Sequence, residues 1–346
     1  MNHRFLAFII ILFALPAFFS AQDSSEQESG EHKNSENLSI YLNVATAYYP
    51  KSAYKSGGTH FSPFAGFFSG AEGAATLNAD IKIPTPLGNH WLLRDANLVL
   101  TPAFELSPVT IKMLFNANFT PLPFLSFSAG GSIGTGWHLF NWHGLAGLNK
   151  QKITWTNGVI DEDSIEYEDY TPFSKWYYDF WAQGMFMFDF GAVFPGEWHH
   201  VIFTASYQIL YKGLTGTKSD DIWEWQNTVN YANGLQYYAS SILAYQMPLK
   251  LYRVGIMTEL SGYVKNPYDD LGSNDNYNAT FAKLSFSPLA QVNLTDKDSL
   301  LIIAQIASRR SFEEDHEKEA TEPYLSYDGY EWFFNRLAVR WTHTFK

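Results

Sequence analysis

The sequence predicts an all-β chain: a transmembrane, antiparallel, up-and-down β-barrel of about 12 strands, with 14 as the alternative count. Three observations point there. Apolar residues recur at every second position from Leu38 onward, the period of a strand whose successive side chains face opposite sides. Aromatics make up 17% of the chain (28 Phe, 21 Tyr, 11 Trp), yet mean hydropathy is only -0.18. Strands with one face in lipid and the other in water give that combination. Beyond the first residues no window reaches the roughly 18 consecutive apolar residues of a membrane helix. A chain that crosses lipid without such helices must close into a barrel, because only closure pairs every backbone group.

The N-terminus reads as a secretory signal over residues 1–21. Arg4 supplies a positive charge, Phe5 to Phe13 an apolar run, Pro16 a break, and Ser20 and Ala21 small residues for cleavage. Residues 22–37 are polar and acidic, with no period, and read as a periplasmic leader. Residues 38–346 form the barrel domain. The chain has no cysteine, so lipid anchoring through cysteine, disulfides and thiolate sites are excluded.

Strands are expected near 38–48, 73–83, 91–106, 109–119, 124–137, 175–190, 198–211, 235–247, 249–264, 280–294, 300–310 and 331–345. In the second, Ala75, Leu77, Ala79, Ile81 and Ile83 alternate with Ala74, Thr76, Asn78, Asp80 and Lys82. In the fourth, Ile111, Met113 and Phe115 oppose Thr110, Lys112 and Asn116; in the tenth, Leu284, Phe286 and Ala290 oppose Lys283, Ser285 and Gln291. Short links, such as Pro121-Leu122-Pro123 and Thr295-Asp296-Lys297-Asp298, take turns with long polar stretches near 49–72, 138–174, 212–233, 265–278 and 311–329. Short turns on one side and long loops on the other are a barrel's rhythm. Within the third of these stretches, running on toward 247, Trp223, Trp225, Asn227, Val229 and Tyr231 also alternate, which is why 14 strands stay open.

The last strand places Phe333, Leu337, Val339, Trp341 and Phe345 on one face, opposite Arg336, Ala338, Arg340, Thr342 and Thr344. This resembles the terminal strand of bacterial outer-membrane β-barrel proteins, porin-like in overall pattern, which ends in an aromatic residue recognised during insertion. Here Trp341 and Phe345 fill that role, with Phe345 penultimate. The resemblance implies an outer-membrane location in a Gram-negative envelope, contact with outer-membrane lipid, and folding by the barrel-assembly machinery.

On the lumen face, Asp80, Asp95, Glu105, Asp179 and Asp189 form an acidic wall, and Arg253, Lys283, Arg309, Arg336 and Arg340 a basic wall. Lys82, Lys112 and Glu259 break the partition. Walls of charge are how pores select solutes, so the expected function is passive diffusion of small hydrophilic solutes. The alternatives are a side-chain-filled lumen whose charges only stabilise it, and a structural or surface-interaction barrel without transport. Loop aromatics Phe140, Trp142, Trp155 and Tyr170 either form a surface or fold inward to narrow the pore. Trp91, Trp137, Trp176 and Trp198 sit near strand ends, where rings anchor at the lipid headgroups.

No enzyme is expected. Histidines occur at His138, His143 and His199-His200, but no His-Glu-x-x-His, Gly-x-Ser-x-Gly or phosphate loop accompanies them. The acidic runs Asp161-Glu162-Asp163 and Glu313-Glu314-Asp315 lack the glycine turn of a calcium loop and read as solvated charge. No metal or cofactor is assigned. A net charge of -12 disfavours nucleic acid, which attracts basic surfaces.

Overall fold

The computed structural model describes residues 37–194, 196–218, 221–268 and 277–346. The signal segment and all but the last residue of the leader lie outside these. Twelve strands form one antiparallel sheet: β1 (Leu38–Ser52), β2 (Phe64–Pro84), β3 (Asn97–Leu106), β4 (Thr110–Leu122), β5 (Leu125–Gly136) and β6 (Tyr177–Asp189), followed by β7 (Val201–Leu214), β8 (Gly234–Gln246), β9 (Leu251–Tyr263), β10 (Lys283–Asn293), β11 (Asp298–Phe312) and β12 (Tyr327–Thr344). Each pairs with the next in sequence, and β1 pairs with β12 from Tyr41 opposite Thr344 to Tyr48 opposite Leu337. That last pairing closes the barrel and leaves the twelve-strand sheet without free edges, which would otherwise template aggregation.

Local chemistry explains the tight ends. In the turn after β10, Thr295 Oγ1 accepts the amides of Lys297 (3.1 Å) and Asp298 (2.9 Å) while donating to Asp298 Oδ2 (2.6 Å). This hydroxyl mimics a backbone turn. After β6, the Asp189 carboxylate accepts the Gly191 amide at 2.8 Å and meets His200 Nδ1 at 2.7 Å, pinning the turn to the start of β7.

Two strand starts and one register differ from the sequence expectation in ways that bear on the lumen. β2 starts at Phe64 rather than 73, so the first long loop is shorter and Glu72 lies on the wall. β3 starts at Asn97, and residues 91–95 are a turn. Asp95 is therefore not a wall residue: it is exposed in that turn beside Arg94, at 3.3 Å. In β12 the register against β11 shifts between Gln305–Arg336 and Ile306–Phe334. This β-bulge adds one residue, Asn335, and reverses the faces above it. Phe333, expected toward lipid, is 3% exposed and points inward.

The possible extra hairpin is real but is not part of the wall. Trp223–Trp225 and Thr228–Tyr231 pair with each other through a two-residue turn, and Trp223–Trp225 also pairs with Leu145–Leu148, which pairs with Tyr167–Asp169. Gln226 and Asn227 have φ of 52° and 60°, the left-handed pair that suits a tight hairpin turn. The result is a separate four-stranded inner sheet built from two long external loops.

Candidate functional site

The barrel wall is inside-out relative to a soluble protein. Its outer face presents Leu77, Phe104, Met113, Phe115, Phe127, Phe180, Ile256 and Phe286, all 40–63% exposed. Between them on the same strands, Thr76, Asn78, Glu105, Lys112, Arg253 and Glu259 turn inward and are buried. Trp91, Trp176 and Trp198 are exposed at or just beyond strand ends, and Trp341 Nε1 donates to Asp298 Oδ1 at 3.1 Å at the start of β11. An apolar belt rimmed by aromatics on a closed, polar-lined barrel is a lipid-facing surface. The chain is a closed, membrane-type β-barrel.

The lumen of this barrel divides lengthwise into two unlike halves. On the side of β7 to β12 and β1 it is packed. Ile202, Ile242, Met257, Leu289, Leu301, Ile303, Ala338 and Tyr49 form one contiguous apolar cluster, each 5% exposed or less. Beside it, Glu259 accepts Tyr238 Oη (2.6 Å), Ser285 Oγ (2.9 Å) and Gln305 Nε2 (2.7 Å), and Gln305 Oε1 in turn accepts Asn335 Nδ2 (2.6 Å). At the closing seam, Arg336 lies 3.7 Å from Glu72 Oε1, which also accepts Tyr49 Oη at 2.5 Å.

The side of β2 to β6 is different. Many of its inward residues are small or polar and keep accessible surface, among them Asp80, Thr101, Asn116, Ser128, Ser132 and Gln183, while Trp181 and Met187 of β6 pack against the apolar cluster. Thr101 Oγ1 donates to Asp80 Oδ1 at 2.7 Å, and Ser132 Oγ and Tyr177 Oη both donate to Asp179 Oδ2, at 2.5 and 2.7 Å. A polar track therefore runs along this wall.

The inner sheet closes the external end of the track. Trp225 stacks on Tyr177 of β6 with ring centroids 4.7 Å apart. Gln226 Nε2 donates to Ser107 Oγ at 3.3 Å and to Thr110 Oγ1 at the head of β4. Gly134 of β5 makes room: a Cβ there would meet Ile111 O at 2.7 Å and the Trp225 ring at 3.0 Å. Trp223 and Leu145 behind it are 0% and 1% exposed. Of the loop aromatics that could either form a surface or fold inward, Phe140 and Trp155 are exposed on the surface; the rings that fold inward are Trp223 and Trp225.

Outside the inner sheet the loops form a cap with its own core, including Ile165, Ile222, Tyr268, Tyr277, Phe312 and Leu325. The acidic runs are tied into it by pairing: Asp163 with Lys318 at 2.7 Å and Asp315 with Lys55 at 2.7 Å, which lowers both carboxyl pKa values through their hydrogen bonds to lysine, Asp315 to about 2. Between cap and wall lies a cavity of about 170 Å³, bordered by Tyr231, Glu259, Lys283, Arg309, Arg310 and Glu322.

Each wall residue expected from sequence has a definite place. Asp80, Glu105 and Asp179 face the lumen on β2, β3 and β6, and Asp189 ends β6 against His200. Glu105 pairs with Lys112 at 3.2 Å, so that acid is neutralised by its own half of the barrel. Arg253, Lys283, Arg309, Arg336 and Arg340 all face the lumen. Arg253 Nη2 donates to Gln246 Oε1 at 2.8 Å, and Arg309 pairs with Glu331 and donates to Ala53 O at 2.8 Å. Phe345 is 51% exposed, with its ring 4.7 Å from that of His343. The sequence did not single out Glu72, Tyr49 or Lys212. Lys212 is buried on β7 with its Nζ 4.3 Å from the Tyr231 ring centre, and an inward position was legible from its alternation with Tyr211.

The cap carries a pH-sensitive acid. Glu322, 3.7 Å from Arg310, is pushed up to about 8 by burial and then by Glu319, against the pull of Arg310. A carboxyl with a raised folded pKa is protonated in the folded cap. Its stability is therefore greatest below the ordinary value of 4.5 and falls as pH climbs toward about 8. Hydrogen exchange over residues 318–325 should quicken between pH 6 and pH 9 beyond its intrinsic rate, and Glu322→Gln should abolish that extra dependence.

No protein-family model matches the sequence, and no curated protein does. Among solved structures, the chain is similar to the β domain of the Bordetella autotransporter BrkA, with 10% identity and a TM-score of 0.42 over 90% of this chain and 100% of that one. It is similar at the same TM-score of 0.42 and 11% identity to an outer-membrane channel from Pseudomonas putida, over 91% and 100% of the two chains. The translocator domain of the autotransporter NalP from Neisseria meningitidis gives 9% identity and a TM-score of 0.39 over 97% and 95%.

Proposed function

We propose that this barrel is a gated channel, giving small hydrophilic solutes a passive route along the β2–β6 track when the inner sheet moves aside. The observation that carries this reading is the asymmetry of the lumen. A barrel needing only stability could pack its interior tightly all round, as the β7–β12 half does with an apolar cluster and a buried hydrogen-bonded network. The β2–β6 half instead presents Asp80, Asn116, Ser128 and Ser132, which keep accessible surface. The acids Asp80 and Asp179 border the track, whereas the basic wall lies mostly beside the packed half, so cations should be favoured over anions.

The absence of native cysteine allows a clean test. With Ser128→Cys or Asn116→Cys, a small cationic methanethiosulfonate should react readily, and faster than an anionic one. Ile242→Cys, inward-facing but 5% exposed in the apolar cluster, should stay unmodified. Equal inertness at all three positions would refute a solute route. A second reading, a structural or surface-interaction barrel without transport, is favoured by the apolar cluster itself and would give that result.

A further inference from the structure

Where the inner sheet meets the external rim, four metal-ligating side chains converge from three separate segments. His138 and His143 face each other across a two-stranded ribbon, His138–Leu139 against Trp142–His143. Their rings lie 5.1 Å apart, edge to face. Both direct Nδ1 at one carboxylate: His138 to Asp169 Oδ2 and His143 to Asp169 Oδ1, each at 2.8 Å. Donor atoms of these three residues all lie within 4.8 Å of one another.

A fourth group comes from the hairpin that closes the track. Asp169 and Glu224 are both register partners of Ala146, one on each side of its strand. The two carboxylates therefore project from one face of the inner sheet, with only the Ala146 methyl between them. Glu224 is 3% exposed, its Oε1 accepts no hydrogen bond among the described residues, and that atom is 3.8 Å from His143 Nδ1. A buried carboxylate oxygen left unsatisfied is expensive, and here it is aimed at a histidine nitrogen beside a second carboxylate.

We propose that His138, His143, Asp169 and Glu224 bind one divalent transition-metal ion of the zinc type. Two imidazoles and two carboxylates, with no thiolate, are a donor set for such a borderline ion. Tetrahedral zinc, with bonds of about 2.0–2.2 Å, sets neighbouring donors roughly 3.3 Å apart. The two histidine–Asp169 contacts of 2.8 Å need to spread by about half an ångström, and Glu224, 3.8 Å from His143 but outside the 4.8 Å cluster of the other three, joins by rotating its side chain. His138 and His143 keep side-chain exposures of 43% and 31%, which leaves an entry path. The ion would tie the Trp223–Tyr231 hairpin to the loop bearing His138, His143 and Asp169. The alternative is a purely hydrogen-bonded His–Asp–His group that has no use for a metal.

The test is titration of the detergent-folded protein with cobalt(II), a coloured substitute for zinc, followed by zinc competition. One equivalent should give the intense visible bands of tetrahedral cobalt, and zinc should bleach them. His138→Ala and His143→Ala should abolish the bands, and Glu224→Gln should weaken binding about tenfold or more, the size of effect seen when groups around metal sites are removed. No stoichiometric uptake by the parent protein would overturn the proposal. So would undiminished uptake in His138→Ala, because the site would then lie elsewhere, for example at His199-His200. His138 is exposed enough that its replacement should leave heat-modifiable gel migration intact, so it decides the matter even if His143→Ala fails to fold. Binding is read from colour and stoichiometry, independently of whether the barrel conducts.

Discussion

Replacing residues 222–232 by a short glycine linker should turn a barrel that rarely conducts into one with stable openings in planar bilayers. The hairpin removed is the piece that seals the track: Trp225 on Tyr177, and Gln226 on Ser107 and Thr110. Its ends are neighbours, since Trp223 is paired with Tyr231, so a linker spans the gap without pulling on β7 or β8. The twelve-strand ladder is untouched, and the deletion should still show heat-modifiable migration. Conductance scales with the narrowest section of a pore, so unblocking it should raise mean current roughly tenfold or more. The cation preference should become measurable as a reversal potential in a salt gradient. A folded deletion protein that stays silent would mean that the apolar cluster, rather than the inner sheet, closes the lumen. In that case the track ends blind.

Most of the wall was legible in the sequence because lipid enforces the period of two on its outer face. Strands such as β4 and β10, with Met113 and Phe115 or Leu284 and Phe286 outward, could be phased from alternation alone. The bulge at Asn335 could not: one extra residue leaves the pattern locally plausible while exchanging the faces, which is why Phe333 was misplaced. The content of the lumen was partly legible. In β11 the run Leu300-Leu301-Ile302-Ile303 is apolar on both faces, as buried strands are, whereas Ser126-Phe127-Ser128 in β5 alternates strictly. That contrast marks the packed half and the polar half. The hairpin at 223–231 announced itself by alternation, but nothing local says that it pairs inside the mouth rather than in the wall. The His138, His143, Asp169 and Glu224 group is assembled across 86 residues by the pairing of Leu145–Leu148 with two other strands, and no spacing rule reaches that far.

Removing the guanidinium of Arg336 should cost about 3–5 kcal/mol of folding stability, the range found when one partner of a buried ion pair is deleted. Arg336 is 0% exposed, at 3.7 Å from Glu72, and Glu72 is held by Tyr49. In Arg336→Met the methionine replaces much of the volume, but Glu72 is left facing the apolar cluster with only a phenol to support its charge. Urea unfolding of the barrel from lipid vesicles, followed by tryptophan fluorescence, measures the loss. Arg336→Met combined with Glu72→Gln should recover a substantial part, because the stranded charge is gone and the amide can still meet Tyr49. If the single variant is as stable as the parent, the seam is already hydrated and the charge is free to serve conduction. If it is destabilised and the double variant recovers, Arg336 is a structural ion-pair partner at the barrel seam. Selectivity would then have to come from the acids along the track, Asp80 and Asp179, which is the half of the charge pattern that water already reaches.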